Sequence, residues 1–256
     1  MYFPVLLSQV QAHLPVVKVT SFSPVEVESP GGRLWRTASD RPAVRKWALR
    51  YEDLTDDEAG ALEAFYDACA GGWRTFTFAD PMSNLLRWSE DIGNEIWGKS
   101  AGLRITVSSS VGEGPAEFLI VNSSASAGKV WQELDIAPGS ALCFSCETRG
   151  GALKLRAGGQ EQPIAASGDW SRKFITAVSS GGVQRVEIEV DAGVSVEVRR
   201  IQAETQRAPS EYQATFERGG VYAKTRFSEG GLRIVSVAPN RNVAEVVLES
   251  HGEDDF

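Results

Sequence analysis

Hydrophobic and polar residues alternate along most of this chain, in short runs bounded by Gly, Pro, Ser and Asn. That is the period of half-buried strands. Near the N-terminus "VVKVTSF", "VEVES", "LWRTAS" and "RKWALRYEDL" are such runs, separated by "SPGG" and "RPA", and they predict an antiparallel sheet. The period then changes. In "TDDEAGALEAFYDACAGG", Ala59, Leu62, Phe65, Tyr66 and Cys69 stand at i, i+3, i+6, i+7 and i+10, one stripe of a helix. Thr55 and Glu58 have the spacing of a capping box, Asp56 and Asp57 fall in the first turn, and Gly71 and Gly72 end the segment. A helix over 55–69 is therefore predicted, with its acidic start a helix-end device and not a metal site. "WRTFTFADP" resumes the alternation, with Trp73, Thr75 and Thr77 facing one way and Arg74, Phe76 and Phe78 the other, until Pro81 ends the strand.

From Asn84 onward the texture differs. "GLRITVSSS", "AEFLIVNSS", "KVWQELDI", "GSALCFSCETR", "GALKLRAGG", "WSRKFITAVS", "VQRVEIEVD" and "VSVEVRRIQAE" follow one another at near-regular spacing. No helical period interrupts them, and the pattern is that of an antiparallel sandwich or jelly roll. After "APSEYQATFERGG" come two more strand runs, "VYAKTRF" and "LRIVSV", then "NVAEVVLES" and an acidic tail, "HGEDDF".

Composition narrows the class. The chain has 256 residues, 25 of them Gly and 7 Trp, with 42% apolar content, which suits a folded, turn-rich protein of one large or two ordinary domains. A net charge of −8 argues against recognition of a phosphate backbone, which needs clustered Lys and Arg. "MYFPVLLSQVQAHLPVVKV" has no basic leader and no apolar run near the ~18 residues that cross a bilayer, so synthesis in the cytoplasm without membrane insertion is expected. Cys143 and Cys146 form a CxxC inside a strand-like run, where residues three apart point to opposite faces. A shared metal or an easy disulfide is thus disfavoured, and the two read as buried thiols.

Ordered fragments of the middle region, "NLLRWSEDIGNEIW", "IAPGSALCFSCETR", "DWSRKFI" and "IQAETQRAPSEYQAT", resemble the carbohydrate-binding-module-like jelly rolls carried by many bacteriophage tail proteins. The positions that carry the likeness are Trp97, Trp170 with Arg172, and Gln202, Glu204, Pro209, Tyr212 and Thr215. The flanks are similar to something else. "RKWALRYEDLTDDEAGALEAFYDACAGGWRTFTFADP" resembles the N-terminal unit of phage minor and distal tail proteins, whose continuation reappears here only at "VYAKTRFSEGGLRIVSVAPNRNVAEVVLES". The expectation is a mainly β protein. A split β-sandwich or barrel domain with one packed helix, residues 1–82 and 218–256, is interrupted by a jelly roll over 83–217. An inserted domain must leave and re-enter its host at neighbouring points, which a sandwich with paired first and last strands allows.

What the resemblance implies is a structural component of a tail tip or baseplate in the virion tail, assembled in the host cytoplasm. Its partners would be copies of itself in a ring such as a hexamer, the tail tube, and other tip or hub proteins. The alternative is a host-surface glycan-binding module. No enzyme is expected: His13 and His251 stand near the chain ends, and no P-loop, nucleophile elbow, HExxH or four-cysteine pattern is present. No cofactor and no metal are implied. Sugar rings stack on aromatic faces, which directs attention to Trp88, Trp97, Trp131 and Trp170. Trp97 and Trp170 match framework positions and read first as core, Trp131 is open between core and surface, and Trp88 stands beside the junction. The candidate sugar-binding set is Trp131, Trp88 and Trp170. Asn122 in "NSS" reads as a loop residue.

Overall fold

The alternating runs become strands and the one 3.6-residue stripe becomes the α-helix of the described residues. The computed structural model describes residues 1–8, 12–22, 24–37, 43–109 and 114–251. In chain order its elements are β1 (His13–Ser21), β2 (Val25–Glu28), β3 (Leu34–Thr37), β4 (Val44–Leu54), α1 (Asp56–Ala68), β5 (Phe76–Ala79), β6 (Gly98–Lys99), β7 (Leu103–Ser109) and β8 (Glu117–Asn122). There follow β9 (Gly128–Ile136), β10 (Ala141–Gly150), β11 (Leu153–Ala157), β12 (Gln160–Ile164), β13 (Ser167–Val178), β14 (Gly182–Val190), β15 (Ser195–Glu204), β16 (Val221–Ala238) and β17 (Arg241–His251). The chain divides into two compact units, Met1–Phe78 with Tyr222–Phe256, and Ala79–Val221. No helix of the described residues is long and apolar enough to cross a membrane.

The first unit is a five-stranded sheet in the order β1-β4-β17-β16-β5, with a separate ribbon of β2 and β3. Thr55 caps α1: its side chain accepts from the Glu58 amide, and the Glu58 carboxylate accepts from the Thr55 amide at 3.1 Å. Both orphan donors are met reciprocally. Ala70 and Gly71, at φ of +48° and +65°, turn the backbone left-handed and stop the helix. The stripe lies against aromatic rings: Phe65 meets Phe76 edge-on at 5.1 Å and Tyr66 meets Phe227 at 4.9 Å. Trp47 fills the rest of this core, packed on Phe78 and Tyr222.

Two details depart from the sequence reading. The strand after the helix begins at Phe76, because Arg74 still donates to the Cys69 carbonyl in the helix-ending turn, and Trp73 is left 82% exposed. The two strand runs around "FSEGG" form one strand, β16, whose register slips against β17 between Phe227 and Leu232. Gly230 supplies a φ of +85° in that bulge, and a Cβ at Gly231 would lie 2.7 Å from the Tyr66 ring.

The second unit is a β-sandwich of jelly-roll type. One antiparallel sheet runs β13-β10-β15-β8-β7 and the other β12-β11-β14-β9-β6. Phe118, Ile120, Leu142, Phe144, Val198 and Ile201 from the first sheet, and Val130, Leu134, Leu155, Val186 and Ile188 from the second, share one buried cluster with Trp97. The short strands β6 and β12 carry too few residues for a period to show. Cys146 points into this cluster and Cys143 to the opposite face. Both thiols are free and buried, and burial foremost pushes each up to about 12. Asn122 is no loop residue: it ends β8, 1% exposed, with its amide nitrogen donating to the Ser126 and Val190 carbonyls at 2.9 Å.

The two ends of this unit are laced together. Asp80 donates to the Gly220 carbonyl at 2.8 Å, Gly220 to that of Asn84 at 2.9 Å, Leu85 to that of Ala203 at 2.7 Å and Trp88 to that of Phe216 at 2.6 Å. The 205–217 segment folds over part of the first sheet. Gln202 accepts from the Gln213 amide at 2.7 Å, Glu204 accepts from the Ser210 amide at 3.1 Å, and the Tyr212 hydroxyl reaches Ser89 at 2.9 Å and donates to Glu90. These are the closing-motif residues of the sequence, and in the structure they fasten the fold.

Phe65 sits in a ring cluster with Phe3, Phe76 and Phe227. Phe65→Ala should destabilise the first unit by about 3 kcal/mol, the lower end for a phenylalanine deletion because the side chain is half-buried. Denaturant unfolding followed by Trp47 fluorescence measures it, and a loss under about 1 kcal/mol would mean the stripe contributes little to that core.

Candidate glycan-binding face

The candidate tryptophans fall in three separate places. Trp88 lies in the seam of the second unit, with φ of +51°, its carbonyl accepting from Trp97 Nε1 at 3.0 Å and its ring half-buried against the core. Trp131 alternates in β9 with the buried Val130 and Gln132, so its side chain is on the outer face of the second sheet. Trp170 in β13 is on the outer face of the first sheet, with Arg172 two residues on and Glu147 of β10 opposite it. The sandwich thickness separates Trp131 from Trp170, so the three do not line one site.

Trp131 has a built seat. Its register partner on the edge strand is Gly98, where a Cβ would lie 2.2 Å from the indole Cε2. Only a residue without a side chain lets the ring lie there. On its other side Trp131 faces Glu187 of β14, and the Arg185 guanidinium is 5.3 Å from the ring centroid. Arg185 in turn is fixed by Glu133, with Nε and Nη2 at 2.8 and 2.7 Å from one carboxylate oxygen. Beside this aromatic wall is a shallow depression of about 200 Å³ lined by Arg156, Gly158, Gly159, Gln160, Arg185 and Glu187, among others. Arg185 and Glu187 stand beside the ring and also line the depression. An apolar plate with charged and amide groups at its margin can stack one face of a ligand ring and exchange hydrogen bonds with its edge.

Around the depression the sheet carries an ion-pair ladder. Glu189, 7% exposed at its side chain, has Lys154 Nζ at 3.0 Å, Arg156 Nε at 2.9 Å and Lys129 Nζ at 3.7 Å. Burial opposes its ionisation, but the Lys154 and Arg156 cations outweigh it and hold the carboxyl below the usual carboxylate range. The sequence reading named Trp131 but missed Gly98, Arg156, Gln160, Arg185 and Glu187. The alternation in "VQRVEIEVD" did put Arg185, Glu187 and Glu189 on one face; nothing local said that face lay beside "KVWQELD".

Trp170 sits in a different setting. Arg149 and Arg199 place their guanidinium carbons 4.7 and 4.2 Å from its ring centroid. Those arginines are bound by Glu197 and by Glu147 and Glu117, each at 2.7 Å, and Arg200 adds a 2.9 Å bond to Glu147. Burial again opposes the charge on Glu147, and its Arg199 and Arg200 partners hold it low. This ring is clamped into a charge network; Cys143, Ser145, Gln202 and Glu204 of the same sheet face are buried, whereas Phe174 and Val178 of β13 are exposed. Among the described residues no group of three or more His, Cys, Asp or Glu side chains is arranged to hold a metal ion.

No protein-family model matches the sequence, and comparison with curated proteins found no match. Solved structures do show likeness. The enzymatically active domain of bacteriophage CBA120 tailspike protein 4 is similar over 50% of this chain and 22% of its own, at 12% identity and a TM-score of 0.40. The CBM22-1 xylan-binding domain of Paenibacillus barcinonensis Xyn10C is similar over 50% of this chain and 96% of its own, at 10% identity and a TM-score of 0.36. The carbohydrate-binding module TmCBM61, solved with β-1,4-galactotriose, is similar over 48% of this chain and 99% of its own, at 17% identity and a TM-score of 0.34. Identities this low carry no residue-by-residue correspondence.

The carboxylates Glu147 and Glu189 titrate below their ordinary value of 4.5, so each contributes stability that is present above that value and lost as pH falls through the lower, folded one. The second unit should therefore lose stability progressively on acidification from about pH 4.5 downward. Glu147→Gln should flatten that acid limb while lowering stability at neutral pH, as read from Tm against pH; an unchanged acid limb would show that Glu147 is not held low in the folded state.

Proposed function

We propose that this is a non-enzymatic binding protein whose jelly roll holds a glycan on the outer face of its second sheet, at Trp131. The observation that carries the reading is the indole seated on Gly98 beside Arg185, Glu187 and the depression they line. A sugar presents an apolar C–H face and a rim of hydroxyls, and it needs a ring to stack on plus fixed donors and acceptors at the margin. Of the two outer faces this one offers both. The other is partly covered by the 205–217 segment, and its tryptophan is engaged by two guanidinium groups.

A second reading, a structural part in a phage or phage-like tail tip with the jelly roll displayed outward, is favoured by an observation in the first unit. Leu14, Val17, Val19, Phe22, Val27, Leu34 and Trp35 are each at least half exposed. They cluster on the sheet-edge strand β1 and the isolated β2–β3 ribbon, where Val27 and Trp35 are cross-strand partners. An isolated two-stranded ribbon is marginal in water, and apolar surface on that scale marks an association surface. In this reading copies of the chain form a ring, such as a hexamer, on the tail tube, with other tip proteins as further neighbours. The two readings are compatible, since one uses the jelly roll and the other the first unit.

Trp131→Ala should abolish retention on the glycan the wild type binds while leaving stability within about 1 kcal/mol, as expected for a residue outside the core. A glycan array with thermal melts as the folding control checks it; undiminished binding by the variant sinks the Trp131 assignment. For the second reading, light scattering should show a closed oligomer for the wild type and a folded monomer for Val27→Lys with Trp35→Glu. A wild type that stays monomeric at high concentration would remove it.

A further inference from the structure

The outer face of the second sheet has a direction. Gly98, Trp131, Glu187, Arg156 and Glu161 are successive register partners across β6, β9, β14, β11 and β12. They form one row at right angles to the strands. Strands lie about 4.8 Å apart, so four steps carry the row ~19 Å across the sheet. The depression meets this row at Glu187 and Arg156 and extends from it along the strands, past Arg185 toward the Gly158–Gly159 turn, with Gln160 in its lining. The row thus joins an aromatic plate to the side of a polar trough.

The charges along the row are already committed. The face presents four cations, Lys129, Lys154, Arg156 and Arg185, and each has a carboxylate. Lys129 holds Glu187 at 2.7 Å, Lys154 holds Glu189 at 3.0 Å and Asp191 at 3.1 Å, Arg156 holds Glu189 at 2.9 Å as well as Glu161, and Arg185 holds Glu133 at 2.7 Å. Against those four cations stand Glu133, Asp135, Glu161, Glu187, Glu189 and Asp191, two carboxylates in excess. A ligand bearing a carboxylate or sulfate would have to displace a carboxylate from its partner and then face a net negative surface. A hydroxyl needs neither, because a paired carboxylate or guanidinium keeps lone pairs or N–H groups to offer.

We propose that the face takes an uncharged oligosaccharide, laid across the strands with one ring stacked on Trp131 and later rings over the depression, and that it discriminates against uronate-, sialate- or sulfate-bearing chains. This rests on the glycan-binding reading and adds the class and direction of the ligand. Selectivity comes from ion pairs that leave no cation spare, and chain-length dependence from the ~19 Å row.

The test uses the full chain on a panel of neutral mono- and oligosaccharides and acidic glycans, the acidic ones also in carboxyl-reduced form. Binding is expected only to neutral or carboxyl-reduced members, rising from monosaccharide to oligosaccharide and insensitive to ionic strength. Gln160→Ala should lower affinity for the longest bound oligosaccharide about tenfold, the equivalent of one hydrogen bond, and leave the shortest binder unchanged; Trp131→Ala should lower both. Trp170→Ala is the control for the opposite face. Preference for the acidic form over its reduced counterpart, or equal affinity for monosaccharide and oligosaccharide, would overturn the inference while leaving glycan binding standing. Loss of binding in Trp170→Ala with retention in Trp131→Ala would move the site to the other sheet and overturn both, as would failure of the wild type to bind any member.

Discussion

The second unit depends on one buried amide. Asn84 is 1% exposed, and its side chain makes four hydrogen bonds: the nitrogen donates to the Ile201 and Gln213 carbonyls at 3.1 Å, and the oxygen accepts from the Leu86 and Ala203 amides at 3.1 Å. A fully satisfied buried amide of this kind costs little and specifies one arrangement, whereas a half-satisfied one is expensive. It pins the segment that opens the jelly roll to the strand and segment that close it. Gly219 lets the backbones approach there, since a Cβ would lie 2.2 Å from the Leu85 carbonyl oxygen. With Asp80 and Gly220 bonded to each other, the chain leaves the second unit beside the point at which it came in. That is why β5 and β16, separated in sequence by the whole jelly roll, can be neighbours in one sheet of the first unit.

The same lacing covers part of one face of the sandwich. The 205–217 segment has to lie somewhere after β15, and Gln202, Glu204 and Tyr212 hold it on the first sheet. Cys143 and Ser145, which point outward from that sheet, are buried as a result. What remains of the face is the arginine and glutamate network around Trp170 together with the exposed Phe174 and Val178 of β13. The second sheet keeps its outward residues in the open, with Val183, Arg185 and Glu133 exposed around Trp131. In the proposed glycan-binding reading, a fastening device on one side would leave recognition to the other, and the ion pairs on that side would shape what it can recognise.

Much of the fold was legible because burial imposes a period on a sequence. The stripe from Ala59 to Cys69 with the Thr55–Glu58 cap marked α1, and the alternation in "KVWQELDI" and "VQRVEIEV" marked β9 and β14 with their inner and outer sides. The opposed directions of Cys143 and Cys146 followed from the same rule of two. Elements too short to carry a period escaped, as β6 and β12 show, and Trp73 was placed in a strand because a helix-ending turn can mimic alternation for three residues.

The candidate site shows where the sequence stops. By itself the chain determined its elements, their inward and outward faces, its acidic balance and the presence of tryptophans beside charged residues, all of which depend on neighbours along the backbone. Only the tertiary structure decided that Gly98 would lie under Trp131, that Arg185 and Glu187 would stand beside it, and that Trp88, Trp131 and Trp170 would be parted into a seam and two opposite faces. Strand pairing made those choices. It joins β9 to β14 and β6 across long intervals of chain, and register between distant strands is set by the packing of a shared core, which no local run of residues contains.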